Sequence, residues 1–466
     1  MKTCSRLAVC ILLAALPALA QLTENLHTPT DAPLAAASSQ PQAASLPQAP
    51  SVPAAPQPAP VAAPLTIKDA EALAIKNNPA ISVARLSALA SQETTREVRS
   101  ALWPQAVANF TGVDAHDDSR ISAGSLNNPI IYARAAAGTT VSQLITDFGH
   151  TSNLVAGAHL QAQAEAQNAM ATREQVLLAV DSAFYGALQT HAVLRVAEQT
   201  VASRQLLSDQ VSALTRSKLR SDLDLSFANV NLAQAKLLYL DALNNDQAAM
   251  SAVSAILGYP SLQKFELLSD PEPAPPAPAD VDQLIAEASS KRPELLAVEF
   301  QVRSEEKFHR ADRDQFLPTI SALGAIGDAP YRDDRISSWY GAVGVNVQIP
   351  IFNGFLFSAK SRESELQTEA ARQRLTDLRN RVSRDVRTSW LNANTAYDRV
   401  TVSQQLLAQA NQALDLAQTR YKLGLSSIVE LSQAQLQQTQ AEIGSAQAGY
   451  AYRLALADLL YQTGGH

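Results

Sequence analysis

The chain has 466 residues, 46% of them hydrophobic, and its 44 acidic and 37 basic side chains give a net charge of −7. This acidic balance argues against nucleic acid as a partner, because surfaces that bind nucleic acid are basic. Beyond the N-terminal segment there is no apolar run of about 18 residues, so we expect no transmembrane helix. Membrane strands need only about 9–11 residues and read weakly in sequence, so a membrane location stays open.

The N-terminus has the pattern of a secretory signal peptide. Basic residues precede the apolar stretch 7–16, and an Ala-Leu-Ala cleavage site follows at residues 18–20. We predict that residues 1–20 are removed; a short buried helix is the alternative. Removal would take away both cysteines, Cys4 and Cys10, so we expect no disulfide and no cysteine metal site.

Most of the remaining chain repeats one pattern. Residues 160–258 align with residues 366–464 without a gap, at a constant offset of 206. The preceding segments match at an offset of 214, which pairs the prolines at 79 and 104 with those at 293 and 318. Such a duplication predicts two similar structural halves. We therefore divide the chain into a signal peptide 1–20, a Pro/Ala-rich disordered linker 21–64, a first repeat 65–264, an inter-repeat linker 265–279 and a second repeat 280–466.

Each half is predicted to contain two strands followed by two long helices. The first of these helices spans some 65 residues without proline, which at ~1.5 Å per residue makes a rod on the order of 100 Å. Apolar residues recur at spacings of three and four, which is typical of coiled-coil packing. In chain order we predict strands at 105–113 and 131–147, helices at about 151–217 and 222–257, strands at 319–327 and 339–351, and helices at about 358–423 and 426–462.

The last predicted strand has alternating faces. Trp339, Val343 and Ile349 lie on an apolar face, and Asn346 and Gln348 lie on the opposite, polar face. Four strands cannot close a barrel, but three chains would supply twelve, an even number that suits an outer-membrane barrel. The alternative is a soluble four-stranded sheet packed on helices.

Short motifs stand where the predicted strands and helices meet. The strands are entered or left at Leu102-Trp103-Pro104, Asp147-Phe148-Gly149, Phe316-Leu317-Pro318 and Ile349-Pro350-Ile351-Phe352-Asn353-Gly354. The last two long helices are joined by Arg420-Tyr421-Lys422-Leu423-Gly424, followed by Ile428-Val429-Glu430-Leu431. These motifs, in an order of elements that occurs twice, resemble the TolC-like outer membrane efflux proteins over about residues 65–464.

The resemblance implies a mainly α fold with a β-barrel part: a trimeric 12-stranded outer-membrane β-barrel continued by a long α-helical barrel, built from two repeats per chain. It implies a passive exit duct of a tripartite efflux or type I secretion system. Its partners would be two further copies of the chain, outer membrane lipid, a periplasmic adaptor protein and an inner-membrane RND-type or ABC-type pump. The alternative function is a soluble periplasmic coiled-coil scaffold or adaptor, which usually carries one helical hairpin rather than two.

In the family, the closed periplasmic end carries acidic rings and a constraining network. By position in the motif, Tyr421 matches the tip aromatic residue, Glu430 the first acidic ring and Asp224 the acidic partner in the first half. The second acidic position falls on Gln433 and the arginine of the network on Ser426. The resemblance therefore implies a gate of the family's kind, with two of its positions changed.

The two tips also differ from each other. Gly424 has Lys218 as its counterpart, so the two turns need not share one conformation. Three copies of Glu430 around a threefold axis would favour cations and repel anions. At the other end of the helices, the barrel-entry candidates are Pro104, Gly149, Pro318, Pro350 and Gly354.

No set of nucleophile, acid and base can be assembled from this sequence. We therefore predict no enzyme, no catalytic residue and no cofactor. The seven histidines are scattered without metal-ligand spacing, so we predict no metal site. The arginines between residues 372 and 387 are interpreted as a solvated, ion-paired helix face rather than a binding patch.

Overall fold

A computed structural model describes residues 63–114, 116, 133–269, 276, 278, 280–332, 334 and 337–465. They belong to one compact unit, Val61–His466. The predicted signal peptide and almost all of the linker 21–64 lie outside the described residues, as does most of the Pro-rich part of the linker 265–279.

The described part of the first half contains three strands and four helices. In chain order they are β1 (Ala63–Leu65), α1 (Ile67–Asn77), α2 (Pro79–Ser100), β2 (Gln105–Val113), β3 (Arg134–Thr146), α3 (His150–Arg216) and α4 (Asp222–Ile256). Local chemistry explains where the short helices begin. Thr66 and Asp69 form a capping box at the start of α1, and Pro79 occupies the first turn of α2, where its missing N–H is not needed.

The second half has the same order of elements. They are β4 (Phe265–Leu267), α5 (Val281–Lys291), α6 (Pro293–Asp314), β5 (Thr319–Tyr331), β6 (Trp339–Gln348), α7 (Leu356–Lys422) and α8 (Ile428–Thr463). Helices α5 and α6 begin and end 214 residues after α1 and α2, and α7 begins and ends 206 residues after α3. Both α3 and α7 have 67 residues.

Strands β2, β3, β5 and β6 form one antiparallel sheet in that order. Its side chains are exposed on both faces: Val343 is 94% exposed and Phe110 84%. The sheet is therefore not packed on helices, and the alternative of a soluble helix-covered sheet is wrong for the single chain. Within the described residues, β2 and β6 each pair along one edge only.

Strand β5 is longer than predicted. It was expected to end at residue 327, but Asp328 pairs with Trp339 and the strand continues to Tyr331. Gly327, the glycine at the predicted end, has a packing role, because a Cβ there would overlap the ring of Tyr340; a Cβ at Gly138 of β3 would overlap the same ring. Strand β6 ends earlier than predicted, before Pro350, which has no N–H for the ladder.

The long helices form two hairpins, α3 with α4 and α7 with α8, and α2 and α6 pack beside α3. One hydrophobic core lies where β1 and α1 meet α3 and the end of α4; Val180, Phe184, Val253 and Leu257 are each at most 1% exposed there. Much of the remaining seam consists of buried alanines, which allow the helices to approach closely.

Five of the six arginines between residues 372 and 387 form ion pairs, as predicted for this face. Arg372 and Arg379 bind carboxylates of α6, Glu306 and Glu299, each at 2.8 Å. These two ion pairs therefore join α7 to α6, in addition to the pairs formed along α7 itself. Among the described helices, none combines the length and the apolarity that a membrane crossing requires.

Candidate functional site: the two helical tips

Both hairpins turn through the same backbone motif. Lys218 has φ +57° and Gly424 has φ +74°, and each is the left-handed residue that ends its helix. Leu219 N–H donates to Leu214 O at 2.9 Å, and Leu425 N–H donates to Arg420 O at 2.8 Å. This is the Schellman arrangement, so the two turns share one conformation although Lys218 stands where the second tip has Gly424.

The helices that follow the turns start in the same way. The Ser221 hydroxyl accepts a hydrogen bond from Asp224 N–H at 3.2 Å, and the Ser427 hydroxyl accepts one from Glu430 N–H at 3.4 Å. Each serine caps its helix and places a carboxylate in the first turn, where the helix dipole favours negative charge. The two acidic candidates therefore occupy equivalent positions.

Tyr421 is the buried centre of the tip region. It is 5% exposed and packs with Ile428, Leu431 and Leu414. Arg220, from the turn of the other hairpin, lies over its ring at 4.2 Å from the centroid. The Arg220 guanidinium also donates to Tyr421 O at 2.7 Å. One arginine thus joins the first hairpin to the second by a cation–π contact and a charge-assisted hydrogen bond.

The Tyr421 hydroxyl is buried and has no hydrogen-bond partner in the described part of the chain. Burial raises the pKa of this phenol, with Asp224 acting in the same direction and Arg220 opposing it. Tyr421 is therefore neutral at physiological pH. Asp224 affects it through charge, while Arg220 makes the direct contact.

Glu430 is paired within its own hairpin. Its carboxylate lies 3.2 Å from the guanidinium of Arg420, and the glutamate side chain is 46% exposed. Gln433 is exposed one turn further along α8, and Ser426 is half-buried with a hydroxyl that lacks a partner among the described residues. Of the predicted network positions, Asp224 acts on Tyr421 through its charge, while Ser426 and Gln433 form no side-chain hydrogen bond to Tyr421 among the described residues.

Further polar contacts tie the hairpins together above the tips. Asn231 donates to the Ser432 hydroxyl at 2.7 Å, and the buried Arg204 guanidinium donates to the Thr439 hydroxyl at 3.4 Å. Burial lowers the pKa of Arg204 to about 10, so it keeps its charge at neutral pH. A groove of about 310 Å³ between the hairpins is lined in part by Arg220, Tyr421 and Gln435.

Sequence reasoning missed Arg220 and Arg420. The signal for Arg220 was present, since it is the counterpart of Ser426 at the offset of 206. The arginine that the family's network suggests at 426 stands at the matching position of the first hairpin. Only the packing of the two hairpins shows that it reaches Tyr421.

The barrel-entry candidates lie at the corners between sheet and helices. Gly149 caps α3 with φ +121°, and a Cβ there would be 2.8 Å from Asp314 of α6. Gly354 has φ +60° just before α7, where only open space surrounds it. Pro104 and Pro318 directly precede β2 and β5, and Pro350 follows β6. Their placement matches the prediction, while their importance stays a prediction.

Comparisons with known proteins agree on one family. Residues 284–465 match the sequence model of the family described as outer membrane efflux protein. Outer membrane efflux protein BepC of Brucella suis is 24% identical over 86% of this chain and 85% of its own length. Outer membrane protein OprJ of Pseudomonas aeruginosa is 25% identical over 84% and 82%.

A solved structure has the same fold. The CmeC outer membrane channel of Campylobacter jejuni superposes with a TM-score of 0.76, with 17% identity, over 86% of this chain and 85% of that one. The motifs, the fold and the relatives therefore agree that the chain is similar to the TolC-like outer membrane efflux proteins.

Proposed function

We propose that the protein is the outer membrane channel of an efflux or type I secretion system, and that it works as a passive exit duct. The observation that carries this proposal is the four-stranded sheet, which is exposed on both faces and stands at one end of two 67-residue helices. A sheet with this much exposed apolar surface needs lipid on one face.

We propose that three chains assemble around one pore. Among the described residues, the outer edges of β2 and β6 have no strand partner, and a closed barrel is the arrangement that satisfies such backbone groups in a bilayer. Three sheets of four strands give about twelve strands, an even number like those of bacterial outer membrane barrels. Helices of this length reach on the order of 100 Å and would carry the duct across the periplasm.

The tips would close the duct. In this proposal Arg220 holds the first hairpin against Tyr421 of the second, and three Glu430 side chains face the narrow end. Arg420 neutralises part of that charge, because it pairs with Glu430 at 3.2 Å. The partners would be a periplasmic adaptor at the tips and an inner-membrane pump of RND or ABC type, which supplies the energy.

Reconstitution tests the proposal. Purified protein should run as a heat-stable trimer, stay in the outer membrane fraction after carbonate washing, and form cation-selective pores in planar bilayers. Glu430→Gln should reduce cation selectivity, with Gln433→Ala as the uncharged control on the same helix. Unchanged selectivity in Glu430→Gln would remove Glu430 from the constriction, and a protein released by carbonate would overturn the channel itself.

A further inference from the structure

A second polar groove lies between α6 and α7, close to the sheet. Its volume is about 560 Å³. The α6 wall is formed by residues at positions 306, 309, 310 and 313, and the α7 wall by positions 362, 365, 366, 368, 369 and 372. These spacings of three and four place each set on one face of its helix, and the two faces line opposite sides of the groove. Four of the lining side chains are arginines: Arg310, Arg313, Arg362 and Arg372.

The charges of the groove are unevenly paired. Arg362 binds Glu365 at 2.6 Å, and Arg372 binds Glu306 at 2.8 Å and Glu369 at 3.5 Å. All three glutamates of the groove are thereby occupied. Across the residues that the structure describes, neither Arg310 nor Arg313 forms an ion pair, and both are exposed on the α6 wall. The groove thus presents two free guanidinium groups.

The groove lies next to a belt of exposed aromatic residues. Every junction between sheet and helices carries one: Trp103, Phe148, Phe316 and Phe352 are all more than half exposed. Aromatic belts mark the level of the membrane–water interface. Arg313 precedes Phe316 by three residues, which is less than one helical turn, and Arg310 precedes it by six, roughly 9 Å along a helix. The headgroup layer is about 5–8 Å thick on each side of a bilayer, so Arg313 lies at its depth.

We propose that this groove binds a phosphate group, with Arg310 and Arg313 as its principal ligands and an anionic phospholipid of the periplasmic leaflet as its source. Guanidinium groups recognise phosphate oxygens by paired, charge-assisted hydrogen bonds. Basic pockets between helices at headgroup depth are suited to lipid headgroups. The proposed depth of the groove rests on the outer membrane position described above. Free phosphate offers the same chemistry, and the experiment below separates the two sources.

The first half provides a matched control. At the offset of 214, Arg96 and Arg99 are the counterparts of Arg310 and Arg313. The opposite wall differs, because Arg362 and Arg372 have Ala156 and Ala166 as counterparts at the offset of 206. Arg96 is also paired with Glu93 at 2.7 Å. The first half therefore has two arginines at the equivalent positions of α2, but its long helix α3 lacks the two arginines that α7 contributes to the groove.

Native mass spectrometry of the full-length protein in detergent tests the site. Phosphatidylglycerol is offered against zwitterionic phosphatidylcholine, for wild type, the double variant Arg310→Gln/Arg313→Gln and the control Arg96→Gln/Arg99→Gln. Wild type and control should retain phosphatidylglycerol, and the double variant should lose retention by about tenfold or more, as two charge-assisted contacts are removed. Phosphatidylcholine retention should be equal in all three.

Inorganic phosphate decides the source. If bound phosphatidylglycerol is released only at phosphate concentrations far above that of the lipid, the site is a lipid site. If phosphate is retained directly without lipid, the site is a free-phosphate site. Both results keep the two arginines as ligands. Equal retention by wild type and the Arg310→Gln/Arg313→Gln variant, or equal loss in the control, would overturn the proposal. Trimer formation is checked in the same spectra, so a failed assembly, which bears on the proposed function, is distinguished from a failed lipid site.

Discussion

The two halves of the chain dock a short helix against the same part of their long helix with opposite chemistry. In the first half, Asp181 of α3 is 4% exposed and shares a hydrogen bond with Glu71 of α1. In the second half, its counterpart Arg387 pairs with Asp282 of α5 at 3.4 Å, and both side chains are mostly exposed. The comparison teaches that the duplicated fold places the helices alike in both halves. The burial of each polar pair then decides whether its charges are solvated or its pKa is shifted.

The signs of charge are exchanged between the halves at the partner position as well. Lys68 is the counterpart of Asp282, so an ion pair like that of the second half was available to Asp181 with the signs exchanged. The first half instead joins two carboxyl groups beside a hydrophobic core. Burial, followed by the charge and hydrogen bond of Glu71, raises the pKa of Asp181 to about 7. The first half should therefore respond to pH where the second does not.

The largest expected effect comes from the core beside this pair. Phe184 is 1% exposed, and its counterpart Trp390 is only half-buried. Phe184→Ala should lower the free energy of unfolding by about 3–5 kcal/mol, because it leaves a cavity in a closed core. Trp390→Ala is the matched control, and denaturant titration should show a smaller loss. Equal losses would mean that the two docking regions are packed alike.

The next effect is the pH dependence of docking. A folded-state pKa of about 7 lies above the unfolded value of 3.8, so the stabilisation by protonated Asp181 is complete below 3.8 and is lost as pH rises through about 7. The loss is on the order of 4 kcal/mol, and Asp181→Asn should remove most of this slope; a small part should remain, because burial also raises the pKa of Glu71. Besides Asp181 and Glu71 themselves, the charged groups that act on the pair are Lys68 of α1 and Arg173 of α3.

Melting temperatures between pH 4 and pH 8 check this prediction. The control is Arg387→Gln, which removes an exposed pair and should leave both stability and its pH slope nearly unchanged. A wild-type slope that survives undiminished in Asp181→Asn would assign the pH response to other groups.

At the tips, the halves are joined by Arg220. Arg220→Ala removes a cation–π contact and a hydrogen bond to Tyr421, together on the order of 2 kcal/mol. If these contacts hold the closed state, the open fraction should rise roughly 30-fold, seen as larger single-channel conductance. Arg216→Ala, an exposed arginine of the same turn, is the control. Equal conductance in Arg220→Ala and Arg216→Ala would show that Arg220 does not restrain the tips.

The smallest effect concerns the two turns. Lys218 and Gly424 hold the same left-handed conformation, which costs a residue with a Cβ about 1 kcal/mol. Lys218→Gly should therefore stabilise the first tip by up to about 1 kcal/mol, and Gly424→Lys should destabilise the second by a similar amount. Hydrogen exchange of the turn amides would show both changes. If hydrogen-exchange protection rises in both variants, or falls in both, the two turns are not equivalent.

Sequence reasoning located the helices well and the contacts between them poorly. The helix predicted at about 151–217 is His150–Arg216, because a long run free of proline leaves little choice. Strand β5 was cut short at Gly327, because the aromatic ring that covers this glycine belongs to another strand. Arg220 and the Asp181–Glu71 pair were missed for the same reason: their partners are far away in sequence, and only packing brings them together.

The most direct test of the account is single-channel recording of the full-length protein in planar bilayers. We predict discrete conductance steps that prefer cations, with a larger conductance in Arg220→Ala. A protein that gives no steps in either form, although it is folded and incorporated, would contradict the conclusion that this chain forms an outer membrane duct.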